Sequence, residues 1–272
     1  MPGMDAARLR EGLAGRYAGV EVVEVTGSTN ADLREALAAG AADRTVLIAE
    51  AQTAGVGRRA RSWSSPRGAG LYLSVALRPS GVSFPALGSL SVVAGLAVRA
   101  VASELGVDAV LKWPNDVLAG PDRAKCAGIL AEAVAGPESS VSSVVLGIGL
   151  NVRPLGEDVP AGPGGLPATS LAEQGAKDPG RTEVALALLT RFDELERRWR
   201  GAGGDLTGAG LLADYRAHCA TLGQTVRVEL PDGATVTGRA ADIDPAGQLQ
   251  VDVEDGRRLT VFAGDVVHVR PA

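Results

Sequence analysis

Apolar and polar positions along the 272-residue chain alternate with two different periods. Val20–Val25, Thr45–Ala51 and Leu71–Leu77 are short apolar runs with β-branched or aromatic members, which predicts strands. Leu9–Tyr17 predicts a short helix. Ala31–Leu37 predicts another, preceded by Ser28-Thr29-Asn30, residue types that cap helix N-termini. Phe84–Leu105 is helical by its Ala, Leu and Val content. Its apolar core, Ala86–Ala102, contains Arg99 and falls short of the roughly 20 clean residues a membrane span needs, so a buried helix and no membrane segment are expected. Four more strands are predicted at Ala109–Trp113, Asp116–Ala119, Lys125–Val134 and Val141–Val152. Arg153–Ala168, with several Pro and Gly, predicts a long surface loop of a kind that is functional or disordered. Glu183–Arg200 and Leu211–Cys219 predict helices.

From about Leu222 the pattern shortens. Gln224–Leu230, Ala234–Ile243, Gln248–Val253 and Arg257–Phe262 are β-patterned runs separated by Pro-Asp-Gly, Asp-Pro-Ala-Gly and Glu-Asp-Gly turns. The expected organisation is therefore a large α/β domain over residues 1–221 and a small β-barrel over 222–272. The barrel region carries five Arg against eight Asp and Glu, a net of −3, which disfavours nucleic acid and suits docking or site closure.

Composition sharpens this picture. Lys and Arg number 27 against 32 Asp and Glu, a net charge of −5 that argues against general nucleic-acid binding. The N-terminus has no apolar signal core, and Cys126 and Cys219 form no paired motif, so a reducing cytoplasmic setting is expected. Only three basic residues are lysine: Lys112, Lys125 and Lys177. Their retention in an Arg-rich chain is either chance or marks places that need a compact ammonium.

Three segments carry candidate chemistry. Gln52 to Trp63 joins two predicted strands, and the stretch to Arg67 holds four Arg and no acid. It is either a solvated linker or a loop that closes over an anion, with glycines for close approach and guanidinium forks for phosphate or carboxylate. Lys112-Trp-Pro-Asn-Asp116 is either a plain hairpin corner or a cation, an amide and a carboxylate gathered at one end of a sheet. Lys125 begins a strand in which Gly128 permits close approach, and Gly147-Ile-Gly-Leu-Asn151 ends another strand on a polar residue.

Together with Ser28-Thr29-Asn30, these segments occur in an order and spacing that resembles the bacterial biotin–protein ligase family over roughly residues 20–270. The resemblance implies an α/β (α+β) fold: a mixed-sheet central domain like that of class II aminoacyl-tRNA synthetases, plus a small SH3-like β-barrel. It implies that biotin and ATP form biotinyl-5′-AMP, and that biotin then passes to a lysine of a biotin carboxyl carrier domain of a biotin-dependent carboxylase. Carried onto this chain, Ser28, Thr29, Asn30, Gln52, Gly55, Arg58, Lys125 and Gly128 would surround biotin. Arg58, Arg61, Trp63, Lys112, Asn115 and Asn151 would meet the nucleotide, Asp116 would hold Mg²⁺, and Lys125 and Arg58 would act in catalysis. Trp63 and Trp113 are either site walls or core. Two positions depart from the family pattern. Val56 stands where an Arg is expected, with Arg59 a candidate substitute, and Cys126 stands where an aliphatic residue is expected; it is read as a small buried apolar residue rather than a nucleophile. Only 27 residues precede Ser28, too few for the family's DNA-binding domain, so no DNA partner is expected. A monomer or weak homodimer is expected. A lipoate–protein ligase of similar architecture and a non-enzymatic biotin or nucleotide sensor are the alternatives.

Overall fold

Alternation along the central strands decides where the core and the cavity lie. The computed structural model describes residues 3–135, 142–156, 159–162, 165–177, 180–230, 233–262 and 265–268. Seven strands, β1 (Gly19–Val23), β2 (Thr45–Ala49), β3 (Gly70–Leu77), β4 (Ala109–Lys112), β5 (Asp116–Ala119), β6 (Ala124–Ala135) and β7 (Ser142–Asn151), form one sheet. Their order is β1-β2-β3-β7-β6-β5-β4, parallel between β1 and β2 and antiparallel elsewhere. This is the mixed sheet expected. Val141, at the start of one predicted strand, lies outside the described residues, as do Met1 and Pro2.

On β3 and β7, Leu71, Leu73, Val75, Leu77, Val144, Leu146, Ile148 and Leu150 all belong to the main core. The alternate positions, Gly70, Tyr72, Ser74, Gly147, Gly149 and Asn151, are small or polar. Because successive side chains point to opposite faces, one face is dry and the other is free to hold a ligand. The helices α1 (Ala6–Gly12), α3 (Leu90–Glu104) and α4 (Arg181–Gly201) contribute to the dry-face core. On the other face, α2 (Thr29–Ala38) sets Leu33 and Leu37 against Leu47, Ala76 and Val145. Burial of each leucine contributes roughly 1.5–3 kcal/mol and fixes the start of α2 over the middle of the sheet. A fifth helix, α5, spans Leu212–His218.

Two predicted helices change. The first ends at Gly12, and Ala14 to Tyr17 turn back in a bridge through Gly15, whose φ of 76° suits glycine. The predicted 84–105 helix is a 3₁₀ segment, Phe84–Ser89, followed by α3. The 84–104 stretch is long and apolar enough to cross a membrane, but the buried residues of α3, from Leu90 to Ala102, belong to the core.

The C-terminal strands β8 (Thr225–Glu229), β9 (Thr235–Ile243), β10 (Leu249–Asp252), β11 (Arg258–Val261) and β12 (Asp265–His268) form an antiparallel sheet in the order β11-β10-β9-β8-β12. The last of these, β12, was not expected from the sequence. Pro231 and Asp232 of the first predicted turn lie outside the described residues. This sheet packs on the larger one through the β4–β5 hairpin: Trp113 Nε1 donates to the Gly247 carbonyl at 2.9 Å and Lys112 Nζ to the Val266 carbonyl at 2.9 Å. Trp113 is therefore core, 2% exposed, and does not wall the cavity. Elsewhere, a buried ionic network fastens α4 to the turn before β2. Arg44 bridges Asp193 and Glu196, and Arg200 joins Glu196 to Asp43.

Candidate active site

The polar face of the sheet floors a cavity of about 830 Å³. Three glycines make the floor flat. A Cβ at Gly149 would lie 2.5 Å from Trp63 Cε2, one at Gly128 2.8 Å from Trp63 Cζ3, and one at Gly147 2.3 Å from Asn30 Oδ1. Gly128 and Gly149 are directly paired across β6 and β7, so the Trp63 indole lies over both. Its Nε1–H is buried with no hydrogen-bond partner. A buried orphan donor in a cavity wall is an unmet demand for an acceptor.

The cations gather beside it. Lys125 Nζ lies 2.7 Å from Asp116 Oδ1 and 5.2 Å from the centre of the Trp63 ring; Lys112 Nζ lies 3.9 Å from Asp116 Oδ2. Lys125 reaches the cavity because β6 carries a bulge. Val117 pairs with Ala127 but Leu118 pairs with Lys125, leaving Cys126 as the extra residue. The bulge shifts the parity of the strand, so Lys125 and Gly128, three apart, come together: a Cβ on Gly128 would be 3.2 Å from Lys125 Nζ. Cys126 is fully buried, and burial pushes its thiol up to about 12, which removes it as a nucleophile at neutral pH.

Above this cluster runs the Gly/Arg loop, doubled back on itself by Gly57 N–H to Arg61 O at 2.7 Å and Trp63 N–H to Gly55 O at 2.8 Å. Arg58 and Arg61 line the cavity. Arg59 does not substitute for the arginine missing at Val56, since it points to Glu229 of β8 at 3.4 Å. Gly55, expected beside the ligand, is not among the lining residues. It serves as the hinge where the loop returns: a Cβ there would meet Trp63 O at 2.7 Å and Gln52 Nε2 at 3.0 Å.

The opposite wall is uncharged. Ser28 stands at the N-cap of α2, yet its side chain makes no capping bond, and it lines the cavity. Gln52 Oε1 accepts from Thr29 N at 2.9 Å and from Thr29 Oγ1 at 3.1 Å, while Gln52 Nε2 donates to Ser65 at 3.0 Å. The buried Ser74 hydroxyl lies 2.7 Å from Thr29 Oγ1 and 2.6 Å from Asn30 Oδ1. Asn115 and Asn151 line the cavity while pinning backbone: Asn115 donates to the Ile129 carbonyl at 2.7 Å and Asn151 to that of Thr169 at 2.8 Å. The predicted 153–168 loop closes the remaining side with Leu155, Val159, Leu166 and Ala168, an apolar wall whose residues the sequence reading did not single out. Residues 157–158 and 163–164 of that loop lie outside the described residues.

The arrangement suits an extended ligand with a polar ring at one end and anionic charge at the other, held for reaction without acid–base chemistry from the wall. Asp116 is the one carboxylate among the described lining residues, and both lysines engage it. Among the described residues no cluster of three His, Cys, Asp or Glu could hold a metal. A single carboxylate is no all-protein cage for Mg²⁺, but one carboxylate together with nucleotide phosphates and water is a usual Mg²⁺ donor set. Asp116, expected to hold Mg²⁺, is paired with Lys125 and Lys112.

Comparison with known proteins bears on this cavity directly. The family model described as "Biotin/lipoate A/B protein ligase family" matches residues 22–151, and that for "Biotin protein ligase C terminal domain" matches 221–269. The chain is 47% identical over 277 residues to the biotin–[acetyl-CoA-carboxylase] ligase of Mycobacterium tuberculosis, covering 99% of this chain and 97% of that protein. It is 34% identical to the ligase of the same name from Paracoccus denitrificans, covering 86% and 94% respectively. The biotin protein ligase of Aquifex aeolicus, solved in complex with biotin and ATP, superposes with a TM-score of 0.75 at 27% identity, covering 94% of this chain and all of that one.

Proposed function

The chain belongs to the biotin/lipoate A/B protein ligase family and is a biotin protein ligase, and from that premise we propose how its own residues divide the reaction. Its substrates are biotin and ATP. The relatives above are biotin ligases, so neither the lipoate alternative nor a non-enzymatic sensor is favoured.

The observation that carries the assignment is the Lys125 ammonium set between Asp116 and the Trp63 ring, across the floor from the Ser28–Gln52 wall. The ureido ring of biotin would sit at that wall, where a donor and an acceptor are both on offer. Its valeryl chain would run along Trp63, whose indole lies against the glycine floor, bringing the carboxylate to Lys125. Joining that carboxylate to the α-phosphorus brings two anions together: the carboxylate O–P bond forms and pyrophosphate leaves with the electrons of the broken P–O bond. No proton has to be removed. The barrier is lowered by alignment and by cations already in place. Lys125 would span carboxylate and α-phosphate, Arg58 and Arg61 would close over the adenylate, and Lys112, held by Asp116 and Val266, would face the nucleotide. The mixed anhydride is open to hydrolysis, so the Gly/Arg loop and the apolar 153–168 wall would exclude water. In the second step the neutral amine of a carrier lysine attacks the acyl carbon: the C–N bond forms, the C–O bond to AMP breaks with its electrons on the phosphate, and the surplus amine proton passes to that phosphate or to water, with the same cations facing the departing AMP.

Members of the family act on the carrier of a biotin-dependent carboxylase, and we assign that carrier domain as the partner here. Asp116, held between the two lysines, would be the carboxylate open to a Mg²⁺ arriving with the nucleotide phosphates. The domain boundary is placed at 221/222, between α5 and β8, and a cytoplasmic location with no DNA or membrane partner accords with the acidic charge balance. Pyrophosphate release measured with biotin and lipoate in parallel, followed by streptavidin detection of the labelled carrier, tests the reading. Equal or better turnover of lipoate would overturn it.

A further inference from the structure

One charged side chain controls an uncharged one at the polar wall. Asn30 lines the cavity and is 7% exposed. Its Nδ2 donates to Glu132 Oε2 at 2.6 Å and to the Leu130 carbonyl at 3.5 Å. An ionised carboxylate accepts but cannot donate, so the flipped amide would set carbonyl oxygen against carboxylate oxygen. Glu132 thereby holds Asn30 Oδ1 the other way, next to Ser74 and over Gly147, where a Cβ would stand 2.3 Å from it. The single Ser74 proton is shared between that oxygen and Thr29 Oγ1, so at most one lone pair of Asn30 Oδ1 is filled and the other would take an N–H arriving in the cavity. Gln52 is fixed with the opposite polarity: the Thr29 backbone N–H holds its Oε1, which leaves a second Nε2 hydrogen beyond the one given to Ser65. The wall thus presents one acceptor and one donor.

We propose that Glu132 is a specificity-determining positioning residue: by locking the Asn30 amide with its oxygen toward the cavity, it selects a ligand ring that carries an N–H over one that carries none. The proposal rests on the biotin ligase reading. The ureido ring donates through two N–H groups, whereas the dithiolane ring of lipoate has no donor and would leave Asn30 Oδ1 unmet. Discrimination arises because a site built around a hydrogen bond penalises the ligand that cannot make it. Glu132 also pairs with Arg34 at 3.1 Å, but that contact is half-exposed on the arginine side and contributes little.

The test uses the full chain and biotin-dependent pyrophosphate release, with KM for biotin, KM for ATP, kcat and the biotin-to-lipoate ratio as readouts. Glu132→Gln frees the Asn30 amide to turn and should raise KM for biotin about tenfold, the worth of one net hydrogen bond. It should lower the biotin-to-lipoate ratio, with kcat and KM for ATP unchanged. Asn30→Ala should behave alike, and the two together should be no worse than either. Arg34→Ala should be silent. Asn30→Asp sets two carboxylates together and should be poor. Asn30→Asp combined with Glu132→Gln exchanges donor and acceptor across the contact, still presents an oxygen to the cavity, and should recover the wild-type KM. A wild-type KM in Glu132→Gln, additivity with Asn30→Ala, failure of the exchanged pair to recover, or an Arg34→Ala effect equal to that of Glu132→Gln would each overturn the proposal. If the unmodified chain released no pyrophosphate with biotin, the ligase reading itself would fall instead.

Discussion

Gly149→Ala is the sharpest single-atom probe of the cavity floor. The added methyl would stand 2.5 Å from Trp63 Cε2 and 2.6 Å from Trp63 Nε1. Carbon atoms attract best at about 3.5–4.0 Å, so the indole has to retreat by at least about 1 Å. The strand cannot yield in its place. Gly149 pairs with Tyr72 on one side and Gly128 on the other, and its neighbours Ile148 and Leu150 are locked in the core. The loop carrying Trp63 is not a strand of the sheet: the Val56–Ser62 bridge, the Trp63-to-Gly55 hydrogen bond and the half-exposed Arg59–Glu229 pair are among its ties, and these can give. The overpacking cost of about 1–3 kcal/mol therefore falls on the loop, and the fold survives. Misplacing a positioning element by ~1 Å can cost on the order of a hundredfold in rate. We expect a loss of that order in kcat/KM for biotin in single-turnover adenylate formation, with a melting temperature lowered by no more than about 10 °C. In a Trp63→Ala background the methyl meets empty space, and Gly149→Ala should add almost nothing. Full activity in the single variant, or an equal loss in both backgrounds, would refute the placement of the indole against the sheet.

Four further outcomes are expected. Lys125→Ala should slow single-turnover adenylation by about a hundred- to thousandfold, the usual loss of one preorganised electrostatic contact; Lys125→Arg should recover part of it, and Lys177→Ala should be silent. Amide hydrogen exchange across residues 55–67 should slow when biotin and ATP are added, since Arg58 and Arg61 of this segment line the cavity in which the anions would sit; no change with binding confirmed would make the loop a mere linker. Arg44→Met should destabilise the chain by about 3 kcal/mol in urea unfolding, near the low end for breaking a buried ion pair, because Arg16, Arg197 and Arg200 still face Asp193 and Glu196. Burial raises the pKa of both thiols, Cys126 to about 12, so neither cysteine should react with a thiol reagent in the native protein near neutral pH, and both should react on unfolding.

Local pattern carried much of this protein in its sequence. Period-two runs located β1 to β11 to within a few residues, and the Gly/Arg loop, Lys112-to-Asp116 and Gly147-to-Asn151 could be picked out as segments at strand ends. Thirteen of the fourteen expected site residues line one cavity, Gly55 being the exception. What the sequence could not supply was direction. Lys125 turns inward because a bulge at Cys126 shifts its strand by one, and a bulge is defined by the register with β5 rather than by any residue type. Arg59 leaves the cavity for Glu229, and Asp116 is claimed by two lysines, through partners about 170 residues away in one case and on neighbouring strands in the other. Glu132 gave no signal at all, for its effect is to orient an amide about a hundred residues distant. Periodicity and motif are properties of consecutive residues, written by the backbone's own geometry. Register, side-chain polarity and the choice of counter-ion depend on which strands and helices meet, and only the tertiary structure decides that.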